Sequence, residues 1–95
     1  MIELVQGEGG VQPQDKTEVQ ALAKLLKSRG VLLIVDEVQT GVYRTGEFSA
    51  SQVYGITPDI ITFAKGLGGG VPVGVVMTSL KDVLSAGDHG STFGG

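Results

Sequence analysis

An α/β fold with a largely parallel sheet is what this sequence predicts, and three observations carry it. Two apolar runs, Val31-Leu32-Leu33-Ile34-Val35 and Asp59-Ile60-Ile61-Thr62-Phe63, lack the alternation of a half-solvated strand. Unbroken apolar runs of that length mark strands buried on both faces. An amphipathic helix with start and stop signals precedes the first run, and the order strand, helix, strand, helix, strand fits right-handed crossovers in one sheet.

Taken in order, residues 2–5 form a short strand that runs into Gly7-Glu8-Gly9-Gly10, a turn or loop. Asp15-Lys16-Thr17-Glu18 is a capping-box pattern, an oxygen acceptor followed three residues later by Glu. Behind it Val19, Leu22, Ala23 and Leu26 recur at helical spacing and make one buried stripe. Lys27 and Arg29 suit the negative end of a helix and Gly30 its C′ position, so the helix spans about 16–29. Residues 31–35 are a buried strand ending abruptly at Asp36-Glu37, and residues 39–47 are a glycine-bearing loop. A short helix over 48–54 follows, then a second buried strand over 59–63 that stops at Ala64-Lys65 and a glycine cluster. Residues 73–78 read as another strand and 80–86 as a short helix.

The bulk numbers bound what such a chain can be. Ninety-five residues allow one small domain, which hides only about 60–65% of its unfolded surface. A 41% hydrophobic and 18% charged composition is ordinary for a globular protein. Sixteen glycines are many, and they cluster at 7–10, 66–70 and 90–95; clustering points to close backbone approach or positive φ, where even spreading would suggest a linker. A net charge of −3 without a basic run argues against nucleic acid as a partner. No apolar stretch reaches the roughly 18 residues of a membrane span, so no membrane is expected. No secretory signal is visible, and the absence of cysteine excludes disulfides and thiolate metal sites; a cytoplasmic location fits. His89 is the only histidine, so no metal is expected, and beside Gly90 it reads as a loop residue rather than a base. Four candidate strands and one strong helix leave the sheet poorly covered, and the last residues form an open-ended loop. Residues 1–95 are therefore expected to be a fragment of a larger domain.

Active sites in open α/β sheets gather at the carboxyl ends of parallel strands. Asp36 ends one expected strand and Lys65 lies just beyond the end of the next. The intervening segment is long enough for a crossover, which needs roughly a dozen residues, and neighbouring strands lie about 4.8 Å apart. A simple ion pair is one reading of this acid and amine. The other is that each faces a different part of one cofactor. A lysine amine condenses with an aldehyde and a carboxylate keeps a ring nitrogen protonated, the two protein groups that pyridoxal phosphate needs most. Gly66, Gly68, Gly69 and Gly70 would then make room for a bulky ligand; a flexible turn is the alternative. Tyr43 and Arg44 lie in a polar loop that solvent alone could explain.

Two other motifs compete. Leu32-Leu33-Ile34-Val35-Asp36-Glu37 has the form of a Walker B strand, but the only glycine-rich lysine segment, Ala64-Lys65-Gly66-Leu67-Gly68, carries its lysine on the wrong side for a P-loop. A nucleotide-hydrolysing domain lacking its P-loop stays open as a weakened alternative, as does a noncatalytic interaction module. A dinucleotide fingerprint fails at Val71 when started from Gly66 and at Gln12 when started from Gly7.

Five blocks carry a resemblance: Val5-Gln6-Gly7-Glu8-Gly9-Gly10; Asp36-Glu37-Val38-Gln39-Thr40-Gly41; Arg44-Thr45-Gly46; Pro58-Asp59-Ile60-Ile61-Thr62-Phe63-Ala64-Lys65-Gly66-Leu67-Gly68-Gly69-Gly70; and His89-Gly90-Ser91-Thr92-Phe93-Gly94-Gly95. In this order they resemble the class III, pyridoxal-phosphate-dependent aminotransferases over the whole chain, and the first and last blocks together look like the acetylornithine/ornithine branch. The resemblance implies a piece of a fold-type I large domain, a mostly parallel sheet with the 73–78 strand antiparallel. It implies Lys65 as the aldimine lysine and proton shuttle, Asp36 at the pyridine nitrogen, Val38 on one ring face and Gln39 near the 3-hydroxyl. Thr92 would bind the phosphate of a neighbouring subunit, making the parent a homodimer. Glu8 resembles the glutamate that pairs with an arginine beyond the chain, and Glu3 is a weaker candidate at the same substrate end. The implied partners are a small-molecule amino donor and a 2-oxo acid. Tyr43 departs from the pattern, standing where many members have glycine, which leaves substrate preference open.

Overall fold

The computed structural model describes residues 1–81. Strands β1 (Ile2–Glu3), β4 (Ile34–Asp36), β5 (Ile60–Phe63) and β6 (Val75–Thr78) form one sheet in the order β1-β4-β5-β6. β1, β4 and β5 run parallel, and β6 pairs antiparallel with β5. The mostly parallel sheet with one antiparallel strand is therefore as expected. Of the helix expected over 80–86, Leu80 and Lys81 are described and are not helical; its remainder and the block 89–95 lie outside the described residues.

Helix α1 (Lys16–Ser28) begins where the capping pattern placed it, with Asp15 Oδ1 accepting the Glu18 N–H at 2.9 Å. It ends in a Schellman motif: Gly30 donates to Lys27 O at 3.3 Å and Val31 to Leu26 O at 3.0 Å, with Gly30 at φ 66°. The buried stripe is narrower than expected. Val19 is buried and Ala23 and Leu26 pack on the core, but Leu22 faces outward.

Two strands differ from their expected spans for identifiable reasons. The 2–5 strand breaks at Leu4, whose side chain is fully buried and whose carbonyl accepts the Gln14 N–H at 2.9 Å. The chain pivots there, and Val5–Gln6 (β2) pairs antiparallel with Gln12–Pro13 (β3) in a hairpin closed across the 7–10 glycine turn. The 31–35 strand starts late because the Schellman motif takes the Val31 N–H and Asp59 Oδ2 takes the Leu33 N–H at 2.7 Å. Val31 and Leu32 are left half exposed.

The core joins Leu4, Val19, Leu33, Val35, Ala50 and Tyr54 into one cluster. Helix α2 (Ala50–Tyr54) completes it, started by a Ser49–Gln52 capping box. The buried Tyr54 shares its hydroxyl proton between Leu4 O at 3.0 Å and Gln14 O at 2.8 Å. That contact ties the second helix to the hairpin.

Between β4 and α2 the chain makes a tight loop. Val42 and Tyr43 both take left-handed backbone, at φ 58° and 64°, a conformation strained for any residue with a β-carbon. Tyr43 recovers part of that cost through an edge-on contact with Phe48, ring centroids 5.9 Å apart. Replacing Tyr43 by Ala keeps the strain and removes the ring, whereas Gly removes both. In urea unfolding the Gly variant is expected to be more stable than the Ala variant by about 1 kcal/mol.

Candidate active site

Parallel pairing sets the frame of the site. Asp36 is the register partner of Thr62 on one side and of Glu3 on the other, so these residues point to one face of the sheet. Asp36 is the last residue of β4, and Lys65 follows two residues after the end of β5. Adjacent strands thus deliver the acid and the amine to the same carboxyl edge. Asp36 is half-buried, and its Oδ1 accepts the Val38 N–H at 2.9 Å, which holds the side chain against its own turn.

Lys65 opens a 3-10 turn, Lys65–Gly68, and is exposed. Its φ of 46° is left-handed, and strain of this kind on a non-glycine residue concentrates at functional positions. The following glycines sort into two kinds, not one as expected. A β-carbon at Gly68 would come 2.7 Å from Val73 Cγ1, a close approach. Gly69 and Gly70 have open space around them but positive φ, 56° and 110°, so the backbone path needs glycine there.

The other sequence-derived candidates fall nearby to different degrees. Val38 is half-buried and Gln39 exposed in the turn after Asp36. Gly7 lies against Gln39, where a β-carbon would come 2.9 Å from Gln39 Cγ. Glu3 and Glu8 are both exposed, and Glu3 Oε2 accepts the Gly7 N–H at 3.3 Å. Glu3 therefore braces the turn that seats Gln39. Thr92 and His89 lie outside the described residues. Tyr43 and Arg44 are exposed, but Tyr43 is engaged with Phe48.

Glu37 is the residue that sequence reasoning passed over. It is 1% exposed. Its Oε1 accepts from Ser49 Oγ at 2.6 Å, Ser51 N at 2.8 Å and Ser51 Oγ at 2.9 Å; Oε2 accepts from Ala50 N at 2.9 Å and from Thr40 Oγ1. Burial alone would raise its pKa, but the Ser49 and Thr40 hydroxyls and the Ser51 and Ala50 amides outweigh that and hold it below the ordinary value. The available signal was Ser49-Ala50-Ser51, two hydroxyls flanking a helix start, with a glutamate ending the preceding strand. A carboxylate so enclosed is turned towards α2 and cannot activate a nucleotide-bound water, so the Walker B reading loses its second acid.

Phe63, 2% exposed, closes the underside of the turn. Gly41 lies against it: a β-carbon there would meet Phe63 Cδ1 at 2.5 Å and Glu37 O at 2.8 Å. A cavity of about 550 Å³ is lined by Ala23, Leu32, Leu33, Pro58 and Asp59 at the amino ends of β4 and β5. It touches neither Asp36 nor Lys65, and the chemistry belongs at the other edge. Among the described residues no group of three His, Asp or Glu side chains could hold a metal ion.

A mostly parallel sheet with this antiparallel edge is the α/β class of the pyridoxal-phosphate-dependent aminotransferases. The family model for class-III aminotransferases matches residues 1–95, and the chain belongs to that family. It is 67% identical over 95 residues to acetylornithine aminotransferase of Wolinella succinogenes, covering all of this chain and 24% of that protein. It is 52% identical over 97 residues to succinylornithine transaminase of Yersinia pseudotuberculosis, covering all of this chain and 23% of that one. Among solved structures, ornithine aminotransferase of Plasmodium yoelii superposes with a TM-score of 0.88 at 38% identity, over 98% of this chain and 26% of that one. The chain spans about a quarter of the length of these relatives.

The residues present fit the family's cofactor. Thr62 Oγ1, the register partner of Asp36, is buried without a hydrogen-bond partner among the described residues. Open space surrounds Gly69 and Gly70 beyond the lysine. An acid, an amine and a hydroxyl lacking a partner at one edge suit a polar aromatic aldehyde.

Two stability measurements follow. Gly41→Ala must displace an aromatic ring or backbone and is expected to cost about 1–3 kcal/mol in denaturant unfolding. Because folded Glu37 ionises below its ordinary value of 4.5, its contribution is full above that pH and is lost as pH falls through the lower folded value. The thermal midpoint should therefore drop on acidification below pH 4.5, and a Glu37→Gln variant should lack that part of the slope.

Proposed function

We propose that the full-length protein carrying this chain is an aminotransferase that moves an amino group from N-acetylornithine, or a closely related ω-amino donor, to 2-oxoglutarate. The parallel pairing of β4 with β5, with Asp36 ending the one and Lys65 two residues beyond the end of the other, is the observation that carries this reading. The names of the three relatives described above, each an aminotransferase or transaminase of ornithine or an acylated ornithine, support the donor class.

Bound pyridoxal phosphate supplies an aldehyde that receives the amino group and a ring that takes up electrons from the substrate carbon. Lys65 would hold the cofactor through its amine, and that amine would carry the proton taken from the substrate carbon. Asp36 would keep the pyridine nitrogen protonated, since an adjacent carboxylate favours the charged ring. Val38 and Gln39, in the turn after Asp36, would help to hold the cofactor ring. Thr92 would help to hold the cofactor's phosphate for a neighbouring subunit, in which case the working unit would be a homodimer. Glu8 takes part in switching between ω-amino donor and 2-oxo acid, with Glu3 at the same substrate end. Many of the phosphate and substrate contacts would come from other parts of the protein, and the isolated 95-residue chain is expected to have little or no activity.

Borohydride reduction of the full-length protein loaded with pyridoxal phosphate, followed by peptide mapping, tests this. A pyridoxyl adduct is expected on Lys65; an adduct elsewhere, or none, would refute the assignment. Lys65→Ala should lower kcat by about 10³-fold or more, and Asp36→Asn by about 10²–10³-fold.

A further inference from the structure

We infer that Glu37 is a positioning residue for Asp36, a role that rests on the function proposed above. Residue 37 is gripped in three ways. Its N–H donates to Thr62 O on β5 at 2.9 Å, its carbonyl accepts the Gly41 N–H at 2.8 Å, and its carboxylate takes the five donors from Thr40, Ser49, Ala50 and Ser51. Asp36 directly precedes this anchor and Val38 directly follows it, and these two neighbours are linked by the Asp36 Oδ1 bond to the Val38 N–H. A rotation at residue 37 therefore turns the Asp36 carboxylate and the Val38 side chain together.

The donor geometry makes the carboxylate hard to replace. Oε1 faces the Ser51 N–H and Oε2 faces the Ala50 N–H. Serine and threonine hydroxyls can reverse direction and accept, but backbone N–H groups cannot. A glutamine at this position has the right shape, yet in either amide orientation it aims its NH₂ at a backbone N–H. Substitution must therefore shift α2 or the turn, and the turn carries Asp36. Phe63 under Gly41 limits movement on the other side.

The test uses the full-length protein loaded with pyridoxal phosphate and reads the pH midpoint at which the absorbance of the lysine-bound cofactor titrates. Asp36 acts on that midpoint through the ring nitrogen, whereas a loss of stability elsewhere does not. Glu37→Gln is expected to shift it by about one unit and to lower kcat about tenfold or more while KM for the amino donor changes little. Tyr54→Phe serves as the control, because it removes the hydroxyl contacts to Leu4 and Gln14 without touching Glu37; its midpoint should stay that of the unaltered protein. If Glu37→Gln does not fold, the double variant Ser49→Ala, Ser51→Ala removes two donors and should give a smaller shift in the same direction. An unshifted midpoint in the folded variant, or an equal shift in Tyr54→Phe, overturns the inference. The Lys65 adduct in the unaltered protein is scored separately: its absence sinks the proposed function, whereas its presence with an unshifted midpoint sinks only the role of Glu37.

Discussion

A carboxylate removed from water stays ionised only where fixed donors replace its hydration, and Glu37 meets that condition with donors from the following turn and from the start of α2. Each hydrogen bond to a charged group contributes about 1.5–3 kcal/mol, so the cluster outweighs the cost of burial. The geometric consequence is larger than the energetic one. One side chain joins the end of β4, the turn that follows and the first residues of α2. The candidate site is built on the outward side of that junction, at Asp36, Val38 and Gln39.

Strain gathers around the same junction. Val42, Tyr43 and Lys65 all sit at left-handed φ without being glycine, while Phe63 packs beneath Gly41 and against Phe48, ring centroids 5.2 Å apart. Strained backbone persists only where its surroundings over-determine it. Here the buried Phe63 ring and the Glu37 cluster supply that constraint for the turn, and Lys65 follows Phe63 by two residues.

Much of this was legible in the sequence, because long apolar runs and capping residues act locally. The β4–β5 pair, α1 from its Asp15 cap to Gly30, and the edge position of Asp36 and Lys65 all follow from nearest-neighbour patterns. What escaped depended on contacts distant in the chain. The split of the first strand at Leu4 is set by Gln14 and Tyr54, and the late start of β4 by Asp59. The hairpin β2–β3 has strands of two residues each, too short for any alternation to register. Glu37 read as half of an acidic pair because all its donors but Thr40 lie 12 to 14 residues downstream. The direction of β6 came from family resemblance, since an apolar strand carries no mark of its polarity.

Helix α2 has only five residues, far below the length at which a helix holds together unaided. Left to itself its first turn would fray on a fast timescale, and the Ala50 and Ser51 amides would trade their hydrogens with deuterated solvent almost freely. Tethered to a buried anion, they should open only when the anion's whole enclosure opens. Those two amides would then belong to the slow-exchanging set of the sheet, which makes the shortest helix a reporter on the integrity of the junction beside it.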